Sequence, residues 1–406
     1  MGYKFKAISG FSWRQVFYVL NNLIAIGRVM ILARILTPYD FGLFSITAIA
    51  LGLSEAFTQT GINLTILQSD KKVNYFIDTA WVIAILRGFF IALLMLVLAV
   101  VLPRFYFEPK LTYLILLASL VPLIKGFINP ALVSFQKYLH FSKHTAFHLS
   151  RVIVETTIAI VVAIYLRNAS AFIWGMIAGA IFEVTASFAV FKLKPKFKFD
   201  KKIAKIIFHN AKGLTPMAAL NYVHENVDNL IIGKILGATN LGFYQNAYSL
   251  AHKANFQLAQ AANHGLFPIF AKIEKDRQRL KQAFFKSFLT MSLMMLGFSL
   301  LLIIWPDFVV NLVLGTKWSS SIPILPILTL AGLIQGVSLL FYTLFLSQAK
   351  FKAINLHLVL TVVLLIIFTW VGAKTGGLVG ASWGIVASRA ITLPILLYFT
   401  YKEFRA

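Results

Sequence analysis

Charged and amide side chains recur at helical spacing inside stretches that are otherwise apolar. Arg14, Asn21 and Arg28 fall seven residues apart, one stripe of a helix. Glu55 and Gln59 are four apart. Asn221, Glu225 and Asp228 make a further stripe with His224 beside it, and Lys253, Gln257, Gln260 and His264 make another. Arg87, Lys125, Glu183 and Arg389 stand singly within apolar runs. Guanidinium forks match phosphate oxygens and stay charged when partly desolvated. A spanning helix with such a stripe does not face lipid along that side; it faces a partner helix or a water-filled cavity. Plainer roles compete at each position. Arg14 could snorkel to an interface, Arg28 could sit in a buried ion pair, and a single Asn or Gln often joins helices. The four isolated charges could form ion pairs within a lobe. Arg151 and Glu155, four apart, are expected to pair on their own helix.

The elements that carry these residues are membrane spans. The chain has 406 residues, 59% hydrophobic and 13% charged, with a mean hydropathy of +0.80. Soluble domains carry about 25% charged residues. The apolar runs predict about 12 transmembrane helices and an all-α polytopic membrane protein. The first six lie at roughly 10–34, 41–66, 78–103, 111–134, 146–166 and 171–191. The others lie at roughly 212–236, 243–270, 284–306, 322–347, 354–373 and 377–400. The first run is too long and too polar for a cleaved signal and is read as a span. Most of the 38 Lys and Arg fall in loops on one side, including the runs from Lys192 to Lys212 and from Lys272 to Lys286. By the positive-inside rule that side, with both termini, is cytoplasmic. The net charge of +24 then meets anionic lipid, and no nucleic-acid role is needed. With no cysteine there is no disulfide, Cys-ligated zinc or iron–sulfur cluster.

A shift of 200 residues aligns the chain with itself. Leu20–Asn21 meets Leu220–Asn221, Ile31–Leu36 meets Ile231–Leu236, Asp40 meets Asn240, Gly42 meets Gly242, and Phe44 meets Tyr244. Two six-helix lobes follow, 1–195 and 212–406, joined by a basic cytoplasmic linker at 196–211 that reads as an interfacial helix. Six spans per lobe is even, so the lobes are expected to be related by a pseudo-two-fold axis along the membrane normal, with the ligand path between them. Small residues at four-residue spacing, Gly175 and Gly179 in span six and Gly372 to Gly384 around span twelve, predict close helix packing. The same shift places Asp228 opposite Arg28, which predicts a gating pair. Arg28, Glu225 and Asp228 are accordingly the candidates for gating or ion coupling.

Leu36-Thr37-Pro38-x-Asp40-Phe41-Gly42 after a polar first span resembles the start of polysaccharide transporters. These are the O-antigen (Wzx-type) lipid-linked oligosaccharide flippases of the MOP exporter superfamily. Gly61-Ile62-Asn63, Gln68 and Leu314-Gly315-Thr316-Lys317-Trp318 fit the same pattern. The longer members carry two further helices for which this chain has no room. The resemblance implies movement of an undecaprenyl-diphosphate-linked oligosaccharide from the inner to the outer leaflet of a bacterial cytoplasmic membrane by alternating access. It serves O-antigen, exopolysaccharide or capsule synthesis beside a polymerase and glycosyltransferases. On this reading Arg14, Asn21, Arg28, Glu55, Gln59, Arg87, Asn221, Lys253, Gln257, Gln260 and Arg389 line a central cavity for diphosphate and sugar. No bond is broken, so neither a catalytic residue, a metal nor a cofactor is expected. Coupling to H+ or Na+ through Glu55, Glu225 or Asp228 stays open. So does the membrane potential alone, which moves each anionic charge outward with roughly 2.3 kcal/mol per 100 mV. The alternatives are a MATE-like cation-coupled multidrug antiporter and a polytopic polymerase or glycosyltransferase. Arginines rather than acids in the first span weigh against the antiporter. Short outer loops, and the absence of GxxxxGK and HExxH, weigh against the enzymes.

Overall fold

A computed structural model describes residues 3–405, with side chains from residue 17 onward except at 18, 253, 254, 257, 261 and 264. Arg14, Lys253, Gln257 and His264 lie outside the described side chains.

The protein is an all-α polytopic membrane protein. Its helices run in the order α1 (Tyr3–Ile35), α2 (Pro38–Phe57), α3 (Ile62–Gln68), α4 (Ile77–Tyr106), α5 (Lys110–Ala118), α6 (Leu120–Gly126) and α7 (Ser134–Lys137). There follow α8 (Phe141–Leu166), α9 (Ser170–Val190), α10 (Lys201–Lys272), α11 (Arg277–Ile304), α12 (Pro306–Val313), α13 (Ile324–Ser347) and α14 (Phe351–Arg405). Among the described residues, seven of these are long and apolar enough to cross a membrane: α2, α4, α8, α9, α11, α13 and α14. A bent pair, Lys110–Gly126 with Pro130–Lys137 at 70°, adds one more. Two long helices are broken by glycines in non-helical conformations. α10 breaks at Gly237 (φ 83°), and α14 at Gly376 and Gly377, the latter at φ 59°. At these φ values an L side chain would meet its own backbone. Counting α1, both halves of α10 and of α14, and the broken α5–α6 as one, the helix order accommodates the twelve expected spans.

The repeat is visible in the local structure. α1 ends where Thr37 and Pro38 open α2, and the break in α10 falls 200 positions later at Gly237. At the first site the motif Thr37-Pro38-x-Asp40 is a capping box. The Asp40 carboxylate accepts from Thr37 N–H at 3.0 Å, and Thr37 Oγ1 accepts from Asp40 N–H at 3.3 Å. Asp40 is buried, and its second oxygen accepts from Ala169 N–H at 3.2 Å, tying the start of α2 to the start of α9. At the second site Asn240 donates back to the Leu236 carbonyl at 2.9 Å.

The chain forms two compact units, 1–226 and 227–406, which meet within α10. The boundary differs from the linker at 196–211 for a reason readable in the contacts of the first stretch of α10. Asp200 caps it, accepting from Lys202 N–H at 2.7 Å. Ile203 and Ile207 are buried in a cluster with Ile66, Val73, Phe76 and Val133 instead of lying on the bilayer surface. Further along, Asn210 donates to Thr65 Oγ1 (2.9 Å), Thr215 to the Gln59 carbonyl (2.7 Å) and Tyr222 to the Ile49 carbonyl (3.2 Å). The linker and the first part of span seven are thus docked on the first unit.

Within the first unit, α9 crosses α8 at its two small residues. A Cβ at Gly175 would come within 2.6 Å of the Glu155 carbonyl, and one at Gly179 within 3.1 Å of the Glu155 side chain. In the second unit, Gly372, Gly380 and Gly384 bring the two halves of α14 into backbone contact. Both are the close approaches that four-residue glycine spacing implies. The stretch at 306–321 is ordered as α12 and a 3-10 turn, Thr316–Ser321, with Trp318 fully buried.

Candidate functional site: a polar cavity in the first unit

The first unit carries an open cavity of about 1000 Å³. The end of α2 supplies Glu55 and Gln59, α4 supplies Arg87, and α6 supplies Lys125. Asn129 and Gln136 come from the bent segment after α6, His144 and His148 from α8, Glu183 from α9, and Asn221, Tyr222 and Glu225 from α10. Five of the residues read from the sequence, Glu55, Gln59, Arg87, Asn221 and Glu225, therefore converge on one space. Two of the isolated charges, Lys125 and Glu183, join them. Such groups inside a membrane-spanning bundle are costly unless they face one another, water or a ligand.

Their commitments differ. Arg87 closes the C-terminus of α2: its Nε donates to the Thr58 carbonyl at 2.7 Å and its Nη2 to the Glu55 carbonyl at 2.9 Å. Both carbonyls belong to the last turn, where a helix leaves acceptors without an i+4 amide. Lys125 is different. Among the described residues its ammonium makes no hydrogen bond or ion pair, although its charge attracts the Glu183 carboxylate. Asn129 is fully buried and holds the bend in place, donating to the Leu193 carbonyl at 2.8 Å and accepting from Ala131 N–H at 2.9 Å. Gln136 Nε2 lies 2.8 Å from His144 Nε2.

Beside the cavity runs an ion-pair chain. Arg28 Nη1 meets Glu155 Oε1 at 2.8 Å, and Arg151 Nη1 meets Glu155 Oε2 at 2.8 Å. Arg151 Nε lies 3.9 Å from Glu183 Oε2, which reaches the cavity wall. This corrects the expected partner of Arg28. It is Glu155 on α8, not Asp228. Asp228 is buried in the second unit, where it accepts from Tyr244 Oη at 2.5 Å and from Asn229 N–H at 2.8 Å. Arg151 and Glu155 pair on their own helix as their spacing implies, and the second oxygen of Glu155 takes Arg28 from α1.

The other candidates fall elsewhere. Asn21 is half-buried on α1 and does not line the cavity. Arg389 belongs to a cluster inside the second unit. It donates to the Ala331 carbonyl at 3.1 Å and to Tyr248 Oη at 3.3 Å, with its guanidinium 5.9 Å from the Tyr248 ring centre. Tyr248 stacks on His252 (4.9 Å) and His252 on Phe256 (4.6 Å), an aromatic column along one face of α10. Gln260 is half-buried. Two other polar residues of that segment join helices: Asn255 accepts from Ser299 Oγ at 3.1 Å, and Asn263 from Thr343 Oγ1 at 2.9 Å. Among the described residues no group of three or more His, Asp or Glu is placed to hold a metal ion.

This is the fold of MOP-superfamily transporters. The chain superposes on a multidrug resistance MATE family transporter of the MOP superfamily in an inward-facing conformation, with a TM-score of 0.69, 14% identity and 94% of each chain covered. It superposes equally on the lipid II flippase MurJ in an inward closed conformation, with a TM-score of 0.69, 14% identity, and 96% of this chain and 88% of that one covered. Residues 31–323 match the family described as polysaccharide biosynthesis protein, and the chain belongs to that family. It is 26% identical over 402 residues to the lipopolysaccharide biosynthesis protein WzxC of Escherichia coli (strain K12), covering 98% of this chain and 81% of that protein. It is 25% identical over 397 residues to the succinoglycan biosynthesis transport protein ExoT of Rhizobium meliloti (strain 1021), covering 91% and 77%.

Proposed function

We infer that the protein is a flippase. It carries a polyprenyl-diphosphate-linked oligosaccharide, with undecaprenol as the lipid, from the cytoplasmic to the outer leaflet of a bacterial cytoplasmic membrane by alternating access. The observation that carries this reading is the cavity. A space of about 1000 Å³ inside a membrane-spanning unit has room for several sugar rings. It offers amides and carboxylates for their hydroxyls, and in Lys125 a cation for phosphate. Membership of a polysaccharide biosynthesis family and the likeness to the lipopolysaccharide biosynthesis protein WzxC support a sugar-bearing cargo, and the likeness to the transport protein ExoT supports a transported one. The reading asks for no bond cleavage. It makes the protein a transporter without cofactor, working between glycosyltransferases that build the lipid-linked unit and a polymerase that consumes it. Outward movement of the anionic headgroup gains roughly 2.3 kcal/mol per charge per 100 mV in an inside-negative cell, so the potential can drive it. Coupling to H+ or Na+ would fall to Glu55 or Glu225, cavity carboxylates that make no side-chain hydrogen bond or ion pair among the described residues.

The test is headgroup transfer in proteoliposomes. Purified protein is reconstituted with a short undecaprenyl-diphosphate oligosaccharide, and an external glycosidase reports arrival in the outer leaflet. Protein-dependent exposure of the sugar is the expected result. No exposure with several such lipids, combined with proton-driven efflux of organic cations, would overturn the flippase in favour of an antiporter.

A further inference from the structure

The second unit carries an apolar pocket of about 380 Å³ that the transport reading does not use. Phe284 of α11 and Phe341 of α13 form its floor and are both buried. Phe288 packs on Phe341 at 5.4 Å between ring centres, and Phe404, near the end of α14, lies 6.0 Å from Phe284. Phe285 and Leu397, each about half exposed, leave the pocket open on one side. At its mouth stand Lys281 and Arg405. Among the described residues neither pairs with a carboxylate. Arg405 instead lies 5.4 Å from the ring centre of Tyr401, and the neighbouring acid, Glu403, is engaged by Lys350. An aromatic slot under two unneutralised cations is unusual for a surface that packing alone should have closed.

We propose that this pocket is a binding site for an anionic phospholipid of the bilayer, with an acyl chain in the aromatic slot and the phosphate between Lys281 and Arg405. Three observations choose this occupant. The slot lies in a membrane protein, so lipid is the ligand present at high local concentration. The Lys272 to Lys286 run and Lys402 with Arg405 fall on the side that the charge bias makes cytoplasmic, where anionic headgroups concentrate. A zwitterionic headgroup brings its own cation and would leave Lys281 and Arg405 uncompensated. The site ties α11, α13 and the end of α14 together through one ligand and is independent of whether the protein flips a lipid-linked sugar.

The full-length protein would be purified in detergent, and lipid retention read by native mass spectrometry after exposure to phosphatidylglycerol and phosphatidylcholine with the same acyl chains. Wild type should retain phosphatidylglycerol in preference. Removing both cations, Lys281→Ala with Arg405→Ala, should weaken that preference about thirtyfold, at about a kilocalorie per charge. Leu397→Trp should block retention by filling the slot with no change of charge. Lys281→Gln with Arg405→Gln serves if the alanine pair folds poorly, and unchanged melting in phosphatidylcholine alone certifies each variant. The proposal is overturned if wild type shows no preference, or if both cation-free and slot-filled variants retain phosphatidylglycerol as wild type does. It is also overturned if equimolar undecaprenyl diphosphate displaces phosphatidylglycerol, because the pocket would then belong to the transported lipid.

Discussion

Replacing Lys125 by methionine separates ligand binding from folding in the cavity. The side chain stays unbranched, loses one atom of length and loses its charge. Among the described residues the ammonium holds no hydrogen bond or ion pair, so the fold loses only the attraction to Glu183, which keeps Arg151 at 3.9 Å. A ligand phosphate loses a charge-assisted hydrogen bond, worth about 1.5–3 kcal/mol, or about ten- to hundredfold in affinity. Titration calorimetry with a short-chain polyprenyl diphosphate in detergent reads the affinity, and a thermal melt on the same sample reads the fold. The expected result is a tenfold or greater loss of affinity with a melting temperature within a few degrees of wild type. Lys125→Arg should keep most of the affinity. Equal affinity in Lys125→Met and wild type would refute the assignment of this lysine to the phosphate. Arg87→Ala is the contrasting control. Its guanidinium serves the Glu55 and Thr58 carbonyls, so the loss should appear first in the melt.

Three further outcomes follow from the packing. Glu155→Ala removes both acceptors of the Arg28–Glu155–Arg151 chain. Because the arginines are about a quarter exposed, the cost should be about 2 kcal/mol, seen as a lower melting temperature and not restored by Asp228→Ala. Asp40→Ala unmakes the capping box and leaves Ala169 N–H without its acceptor; it should cost about 2–3 kcal/mol, with Asp40→Asn recovering part of it in the same melt. Gly175→Val places a methyl-bearing carbon against the Glu155 carbonyl and should cost about 1–3 kcal/mol. Gly213→Ala, where a Cβ meets nothing within 4 Å, should be nearly silent.

The site was partly legible. Glu55, Gln59, Arg87, Asn221 and Glu225 were found because charge within an apolar run is conspicuous and helical spacing says which charges share a face. Lys125 and Glu183 were visible as isolated charges, but nothing in their spacing said that they face one another. Asn129, His144 and His148 were not singled out. They reach the cavity because the chain bends by 70° after α6, and a bend of that size has no signature in hydropathy. Arg28 was given the wrong acid because a sequence repeat proposes equivalence, and equivalence is not contact. Glu155 has two carboxylate oxygens, and the packing of α1 on α8 turns the second one toward Arg28.

By itself the sequence determined the membrane class, the span order, the repeat that sets Ile31–Leu36 against Ile231–Leu236, and the glycine crossings. Each of these follows from local chemistry: apolar length against bilayer thickness, a capping box, or the absence of a Cβ where helices touch. Tertiary structure decided which polar groups are spent on the fold and which are left to meet a ligand. It engaged Arg87 on a helix end, Arg28 on Glu155 and Arg389 on Tyr248 and Ala331, and left Lys125 facing open space. The physical reason is that a buried charge takes whatever partner packing brings within about 3 Å. That distance is set by the crossings of helices far apart in the chain, which no spacing along one helix can encode.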